Sequence, residues 1–345
     1  MVSIASSSAN SFRRCLDASH RIRGTHRVEA HETTLALLRS FRGSLGARQP
    51  GLDLYCTTRN GMFFNRSMFV SPPLKIPASL LEDLSKLGAF LNEGLRAHNL
   101  AQQMVERVAQ SLREKPFDSD YKMLAYVLFS KGFMTSQSTR SLCLLGCGPD
   151  AIGLCASLFE NVVDLMYISQ APTVRSRRYI RFEQVDKLCQ AQKILQRQRL
   201  PRGTRKRYKG YLKHLTPEAS KYLRMFPNPR LSWSGKTLRQ RAKAVGMDLE
   251  YDELYYIFCG LKHSLPMGAA GFVFEREAYV DVVRGPNIKG VYLATLHSNK
   301  YLLRLCDLLH GAYGLSAEAK DVAPLMKSLV EISTKVHSQY PELCA

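Results

Sequence analysis

Apolar residues recur three and four positions apart from residue 79 onward, and this spacing predicts one helix after another. Ser79-Leu80-Leu81-Glu82 has the form of a capping box, and Leu84, Leu87, Leu91 and Leu95 follow at helical intervals. A long helix should therefore start at Ser79, bend near Gly94 to Asn99, and continue through Met104, Val105, Val108 and Leu112. Asp118 or Asp120 should open another helix through Tyr126 and Phe129 toward Gly146. Gly148-Pro149-Asp150 reads as a kink or restart, because proline is tolerated in a first helical turn, and Leu158, Val162, Leu165 and Ile168 make the next apolar face. Pro172 and Thr173 begin a further helix with Tyr179, Phe182, Val185 and Cys189 as its stripe.

The basic stretch from Arg197 to Lys213 contains Pro201-Arg202-Gly203 and reads as a loop or frayed helix end. Thr216-Pro217-Glu218 then places an N-cap, an N1 proline and a first-turn acid in order, starting a short helix that ends before Pro227. Helices follow over about Lys236 to Val245, Asp252 to His263, Val291 to Tyr313 and Ala317 to His337, while Phe272 to Val283 is open between extended and helical structure. The fold class is all-α: an irregular multi-helix bundle over residues 78–340, preceded by a poorly ordered basic N-terminal segment, 1–77. Within that segment Asn60-Gly61, Pro72-Pro73 and Pro77 mark irregular chain, with a short strand at Met62 to Phe64. Its Arg- and Ser-rich start resembles a mitochondrial presequence in composition, but Asp17 and a poor amphipathic pattern favour a disordered basic tail or an overlong start.

At 345 residues, 45% hydrophobic and 23% charged, the chain can bury a sizeable core. Its charge is the unusual quantity: 49 Lys and Arg against 29 Asp and Glu leave a net +20. Fourteen of those cations lie in Arg175 to Lys213 with only Glu183 and Asp186 to oppose them, so +12 of the excess sits on one helix and its continuation. Phosphate neutralisation with counterion release is the physical use of such a stretch, with Tyr208 and Tyr211 able to add base stacking. The expected polyanion-binding residues are Arg175, Arg177, Arg178, Arg181, Arg202, Arg205, Lys206, Arg207 and Lys209, and the expected partners are RNA, DNA or an acidic protein. A solvated helix face followed by a basic loop accounts for the same residues equally well.

Nine cysteines, scattered through apolar helical stretches and without a C-x-x-C pair, suit buried thiols in a reducing, cytoplasmic setting. Cys143 and Cys147 lack two further ligands nearby, so no metal and no cofactor is expected. The most apolar stretch, Leu142 to Ile168, is interrupted by Gly146, Gly148, Pro149, Asp150, Glu160 and Asp164, so no membrane span is expected. Gly43-Ser44-Leu45-Gly46 lacks the lysine of a phosphate loop, Gly146-Cys147-Gly148 lacks a third glycine, and neither Gly-x-Ser-x-Gly nor His-Glu-x-x-His occurs. An ordinary hydrolase, dehydrogenase or kinase is thereby disfavoured.

Two polar groups stand out on apolar helices. Tyr256, Gly260 and His263 share one helical face with Asp252 a turn earlier, and Glu160 and Asp164 form an i,i+4 acidic pair. Carboxylates in such a setting need partners; Arg177, Arg178, Arg181 and His263 are the nearest available in the pattern, and a structural ion-pair network over Glu160, Asp164, Tyr256 and His263 is the expectation.

The order Leu158 to Ile168, then Tyr179, Trp233-Ser234-Gly235, Ala242 to Gly246, Tyr251 to Tyr256 and Lys262-His263 resembles a bacterial helical family known only as a domain of unknown function, over about residues 120–313. The resemblance implies a site at Glu160 and His263, with Tyr255 and Tyr256 between helix and core. The chain departs from that pattern at Cys259-Gly260, where small polar residues are more usual. Bundles of this sort are also similar to the HEPN superfamily, whose ribonucleases use Arg-x(4–6)-His; Arg304-x5-His310 fits the formula, as do Arg13 and Arg14 with His20, Arg21 with His26 and Arg207 with His214. That resemblance implies, as an alternative, a metal-independent ribonuclease of toxin or defence type in which Arg304 stabilises the phosphate and His310 acts as acid or base.

Overall fold

The structure, a computed structural model, describes residues 78–114, 117–197, 200–226, 232–263, 273–276, 279–282, 286 and 288–344. The expectations for the basic tail, the strand at Met62 to Phe64 and the remainder of 1–77 lie outside the described residues.

Helix α1 (Ala78–Lys86) and helix α2 (Gly88–Glu114) carry the leucine repeat that begins the bundle. Helix α1 is already under way at Ser79, so the Ser79–Glu82 pair sits inside the helix instead of capping it. The chain interrupts its regular turn at Leu87 and then runs helically through Gly94, where the pattern predicts a bend. A Cβ at Gly94 would stand 2.5 Å from the Asn299 amide nitrogen, so this glycine serves a close helix crossing and no kink. Helix α3 (Asp120–Leu144) is opened by Ser119, whose hydroxyl accepts the Lys122 backbone N–H at 3.2 Å, with Asp120 in the first turn.

Helix α4 (Gly148–Ser169) starts at Gly148-Pro149-Asp150, as the pattern predicts, and is the most deeply buried element. It is long and apolar enough to cross a membrane by length and composition. In the fold its apolar surface is covered by α3, by the helix α10 (Val291–Tyr313) and by the shorter helix α9 (Tyr256–Lys262). Leu158, Phe159, Val162, Leu165 and Ile168 of α4 meet Leu302, Leu305 and Leu309 of α10 and Phe129 of α3 in one continuous core. Helix α2 lies against α10 and against α12 (Val322–Gln339), which closes the bundle.

Helix α5 (Pro172–Leu195) buries Val185, Leu188 and Ala191, and helix α6 (Arg202–Leu223) packs back along it. The expected basic loop is therefore a helix. Pro201 precedes its first turn, Arg and Lys are good helix formers, and Leu212, Leu215 and Ala219 recur on one side to meet Leu188. The pattern has Pro217 start a new helix, yet α6 passes through it. Its ring stands on the exposed side, where the carbonyl that it frees can be hydrated.

Helix α7 (Leu238–Ala244) has a complete capping box between Thr237 and Gln240 and stops at Gly246, whose φ of 72° is left-handed. The turn α8 (Asp248–Glu250) leads into a π-helical turn, Tyr251–Tyr255, before α9. Strands β1 (Val273–Arg276) and β2 (Tyr279–Val282) pair antiparallel with Val273 opposite Val282, resolving the ambiguous segment as a hairpin. After α10 come α11 (Ser316–Ala319), α12 and a last turn, α13 (Pro341–Cys344). The architecture is an all-α bundle around α4 and α10, with this small hairpin attached; the described residues belong to one compact unit, Pro73–Ala345.

The tightest joint is at the start of α4, where a Cβ on Gly148 would lie 2.0 Å from the Lys289 carbonyl oxygen and 2.7 Å from the Val291 nitrogen. Both obstacles are backbone at the entrance to α10 and cannot rotate away. Gly148→Ala should destabilise the protein by about 1–3 kcal/mol through overpacking, read as a lower midpoint in urea; an unchanged midpoint would show that the joint relaxes freely.

Candidate nucleic-acid interface

Helix α6 carries seven basic residues and one acid, Glu218. Arg202, Lys206, Lys209 and Lys213 follow the spacing i, i+4, i+7, i+11, which aligns them along one flank of the helix. All four are exposed, and none has a carboxylate partner among the described residues. Arg207 is also exposed, nearer the opposite flank, whereas Arg205 is half-buried and donates to the Arg197 carbonyl at 3.4 Å. Because α6 rests chiefly on α5 through a narrow seam of Leu188, Leu212, Leu215 and Ala219, its polar surface faces outward along its whole length.

The cations of α5 divide differently. Arg175 donates to the Tyr167 carbonyl and to Gln170 Oε1, with its guanidinium 3.7 Å from the Tyr167 ring centroid. Arg178 donates to the Trp233 carbonyl at 2.9 Å, and Arg181 lies over Tyr222. These three tie α5 to α4, to the Trp233 loop and to α6; only Arg177 among the four expected on this helix is exposed without such an engagement. The available cationic surface is thus concentrated on α6, and Lys213 belongs to it although the sequence pattern placed it only at the edge of the basic stretch.

The two expected acids also separate. Asp164 accepts from Arg241 Nε at 2.7 Å and from Trp233 Nε1 at 3.4 Å, while the same guanidinium donates to the Lys236 carbonyl, Ser232 Oγ and Ser234 Oγ. Burial pushes the Asp164 carboxyl above its usual value, and the adjacent Arg241 charge opposes that shift. Trp233 meets Tyr167 and Tyr179 edge-on, and burial raises the Tyr179 phenol to about 12. The Trp233-Ser234-Gly235 run is therefore a loop wrapped around Arg241, a partner that no periodicity pointed to.

Glu160 does not meet Arg177, Arg178, Arg181 or His263. It accepts from the Tyr255 hydroxyl at 2.8 Å and pairs with Lys262 at 3.3 Å, at roughly one-third side-chain exposure for both charges. Tyr256 is 61% exposed and His263 is exposed as well. The expected polar face of Tyr256, Gly260 and His263 is replaced because the π-helical turn adds a residue to the winding and brings Tyr255 inward. Asp252 pairs instead with Arg239 at 3.0 Å.

Arg304 points to Glu250, 3.5 Å away, a carboxylate that Lys300 also contacts at 2.5 Å. His310 stands in the last turn of the same helix with its Nδ1 buried and unpartnered. Arg304 and His310 are six positions apart, or about 240° around the helix axis, so they project from different sides of α10.

A buried polar chain escaped the pattern altogether. His98 Nδ1 lies 2.8 Å from the Gly94 carbonyl and so carries the proton, leaving Nε2 to accept from Ser136 at 3.0 Å, while Ser136 is 2.8 Å from Ser298. Burial holds His98 below its usual pKa, and Ser136 is fully enclosed, so this pair braces α2, α3 and α10 away from solvent. Among the described residues no three His, Cys, Asp or Glu side chains gather as metal ligands. Six of the cysteines are free thiols there; burial raises Cys143 to about 12.

Residues 122–279 match the model of a family described as "Family of unknown function (DUF5677)". That span covers the helices carrying Asp164, Glu160, the α5–α6 hairpin and the Trp233 loop, and extends less far than the 120–313 suggested by the residues alone. Neither a curated protein nor a solved structure matches the chain, and a likeness to HEPN ribonucleases is not found.

Proposed function

We propose that this protein binds nucleic acid as a polyanion through the outer surface of the α5–α6 hairpin. The observation that carries the reading is the line Arg202, Lys206, Lys209 and Lys213: four cations over about 16 Å of helix, exposed and without carboxylate partners among the described residues. Like charges at i,i+4 destabilise a helix, so such a line is held against its own repulsion and gains by neutralising phosphates. Free buried thiols suit a reducing, cytoplasmic setting for that role.

Replacing Arg202, Lys206, Lys209 and Lys213 together by Ala should weaken binding of a labelled uridine 12-mer at low salt. It should also flatten the plot of log affinity against log salt by about 3 units, near 0.7 for each single-strand phosphate that is no longer neutralised. Circular dichroism should remain helical, since Ala is the better helix former. Equal affinity and slope for the wild type and the quadruple variant would end this reading. Cleavage of the probe, abolished by Arg304→Ala and His310→Ala, would replace it with the ribonuclease alternative.

A further inference from the structure

On the flank of α6 away from the charged line lies a groove of different chemistry. It occupies about 240 Å³ between α5 and α6 and is lined by Gln184, Lys187, Tyr211, His214, Leu215 and Glu218. Leu215 is its buried apolar floor, while Tyr211, 44% exposed, offers a ring at its edge. The amide of Gln184, the imidazole of His214 and the carboxylate of Glu218 place both donors and acceptors around that floor. Glu218 is held by Lys221 at 2.6 Å, and Lys187 is paired with Glu183, so the groove brings negative charge with its positive charge. A phosphate would be repelled by the carboxylate lining it. A neutral, planar group with hydrogen-bonding edges would be accepted.

Lys209-Gly210-Tyr211 connects the two features. Lys209 belongs to the charged line, Tyr211 to the groove on the other flank, and Gly210 to the outward ridge between them. A Cβ at Gly210 would meet nothing within 4 Å, so the ridge is bare and open there. Residues two apart on a helix project from nearly opposite sides, so phosphates on Lys209 and Lys213 and a base at Tyr211 would belong to different nucleotides of one strand that crosses the bare ridge at Gly210.

We infer that the α5–α6 groove receives an unpaired nucleobase against Tyr211, which makes single-stranded nucleic acid the polyanion preferred by this hairpin. The inference rests on the polyanion reading above. Stacking on an exposed aromatic ring tolerates any base, whereas a duplex keeps its bases stacked inside and can offer only phosphates. Arg207 and His214 lie toward the groove side and supply further donors there without making it a phosphate site.

The test uses the full-length protein and four fluorescent or competing probes: a uridine 12-mer, a 12-mer of abasic phosphodiester units, a 12-base-pair duplex and heparin. The uridine strand should bind about tenfold more tightly than the abasic strand of equal charge. Tyr211→Ala should remove that difference while leaving abasic and heparin binding unchanged; Gly210→Leu, which crowds the ridge that the strand crosses, should weaken uridine binding, and Tyr211→Trp should restore or enlarge the difference. Gly210→Leu is informative because leucine favours a helix over glycine, so a loss of uridine binding would not come from unfolding. Equal binding of uridine and abasic strands, or preference for the duplex, overturns the groove and leaves the charged line standing. Failure of every probe, heparin included, overturns both readings.

Discussion

Arg241→Ala should lower the stability of this protein by about 3–5 kcal/mol, the largest effect expected of any single charge removal among the residues described. Its side chain and that of Asp164 are only 9% and 16% exposed, and the guanidinium satisfies one carboxylate, one carbonyl and two serines at once. Truncating it strands a buried carboxylate whose burial already pushes its pKa upward, and releases the Ser232–Lys236 loop that carries Trp233. Asp164→Asn in the same chain should recover part of the loss, because a neutral amide is less costly to bury than an unpaired anion. Glu160→Ala provides the contrast: its partner Lys262 is about as exposed as Glu160 itself, so the loss should stay near or below about 1 kcal/mol. Urea titrations of the two variants decide the matter, and an equal cost at Arg241 and Glu160 would refute the assignment of Asp164 as the buried partner.

Acid should destabilise the fold before carboxylates are titrated. Burial and the Lys300 charge lower His297 from 6.5 to about 4, against the opposing influence of Glu250. His297 is packed edge-on to Phe258 and tilted to Tyr301, and its Nδ1 has no hydrogen-bond partner. The folded state therefore holds the neutral ring, while the unfolded chain takes up a proton at the usual pKa. Stability from this group is complete above pH 6.5 and is lost as pH falls toward 4, by about 3 kcal/mol. His98, also held low by burial, acts in the same direction. Unfolding free energy measured from pH 7.5 to 4 should fall over this window, and His297→Gln should flatten the fall. A variant with the unaltered slope would show that His297 is not the group responsible.

The charged line of α6 illustrates how much is present in the sequence and why it is hidden there. Tyr208, Leu212, Leu215 and Ala219 have helical spacing, but they share the stretch with Lys and Arg, and Pro201-Gly203 and Pro217 are strong breaker signals. Their weight is overridden by α5, which offers Leu188 as a packing surface. Helix propensity is a weak local preference, and a neighbouring apolar stripe outweighs it. Asp164 and Glu160 show the complementary limit. Their need for partners is evident from their place on an apolar helix, but the identities are not, since Arg241 is 77 residues away and Lys262 is 102.

Helix order, the restart at Gly148-Pro149, the α10 boundaries and the concentration of positive charge follow from the sequence alone, because each depends on contacts between residues within a few turns or on composition. Tertiary structure decided which of those charges remain available. Arg175, Arg178 and Arg181 belong to the same basic stretch as Arg202, Lys206, Lys209 and Lys213, yet the first three face carbonyls and rings of other elements and the last four face solvent. It also decided that Tyr255 and not Tyr256 turns inward, through one π-helical turn that shifts the face by a residue. Partner choice and winding are set by long-range packing, where the free energy of burying a helix face exceeds the local preferences that a sequence displays.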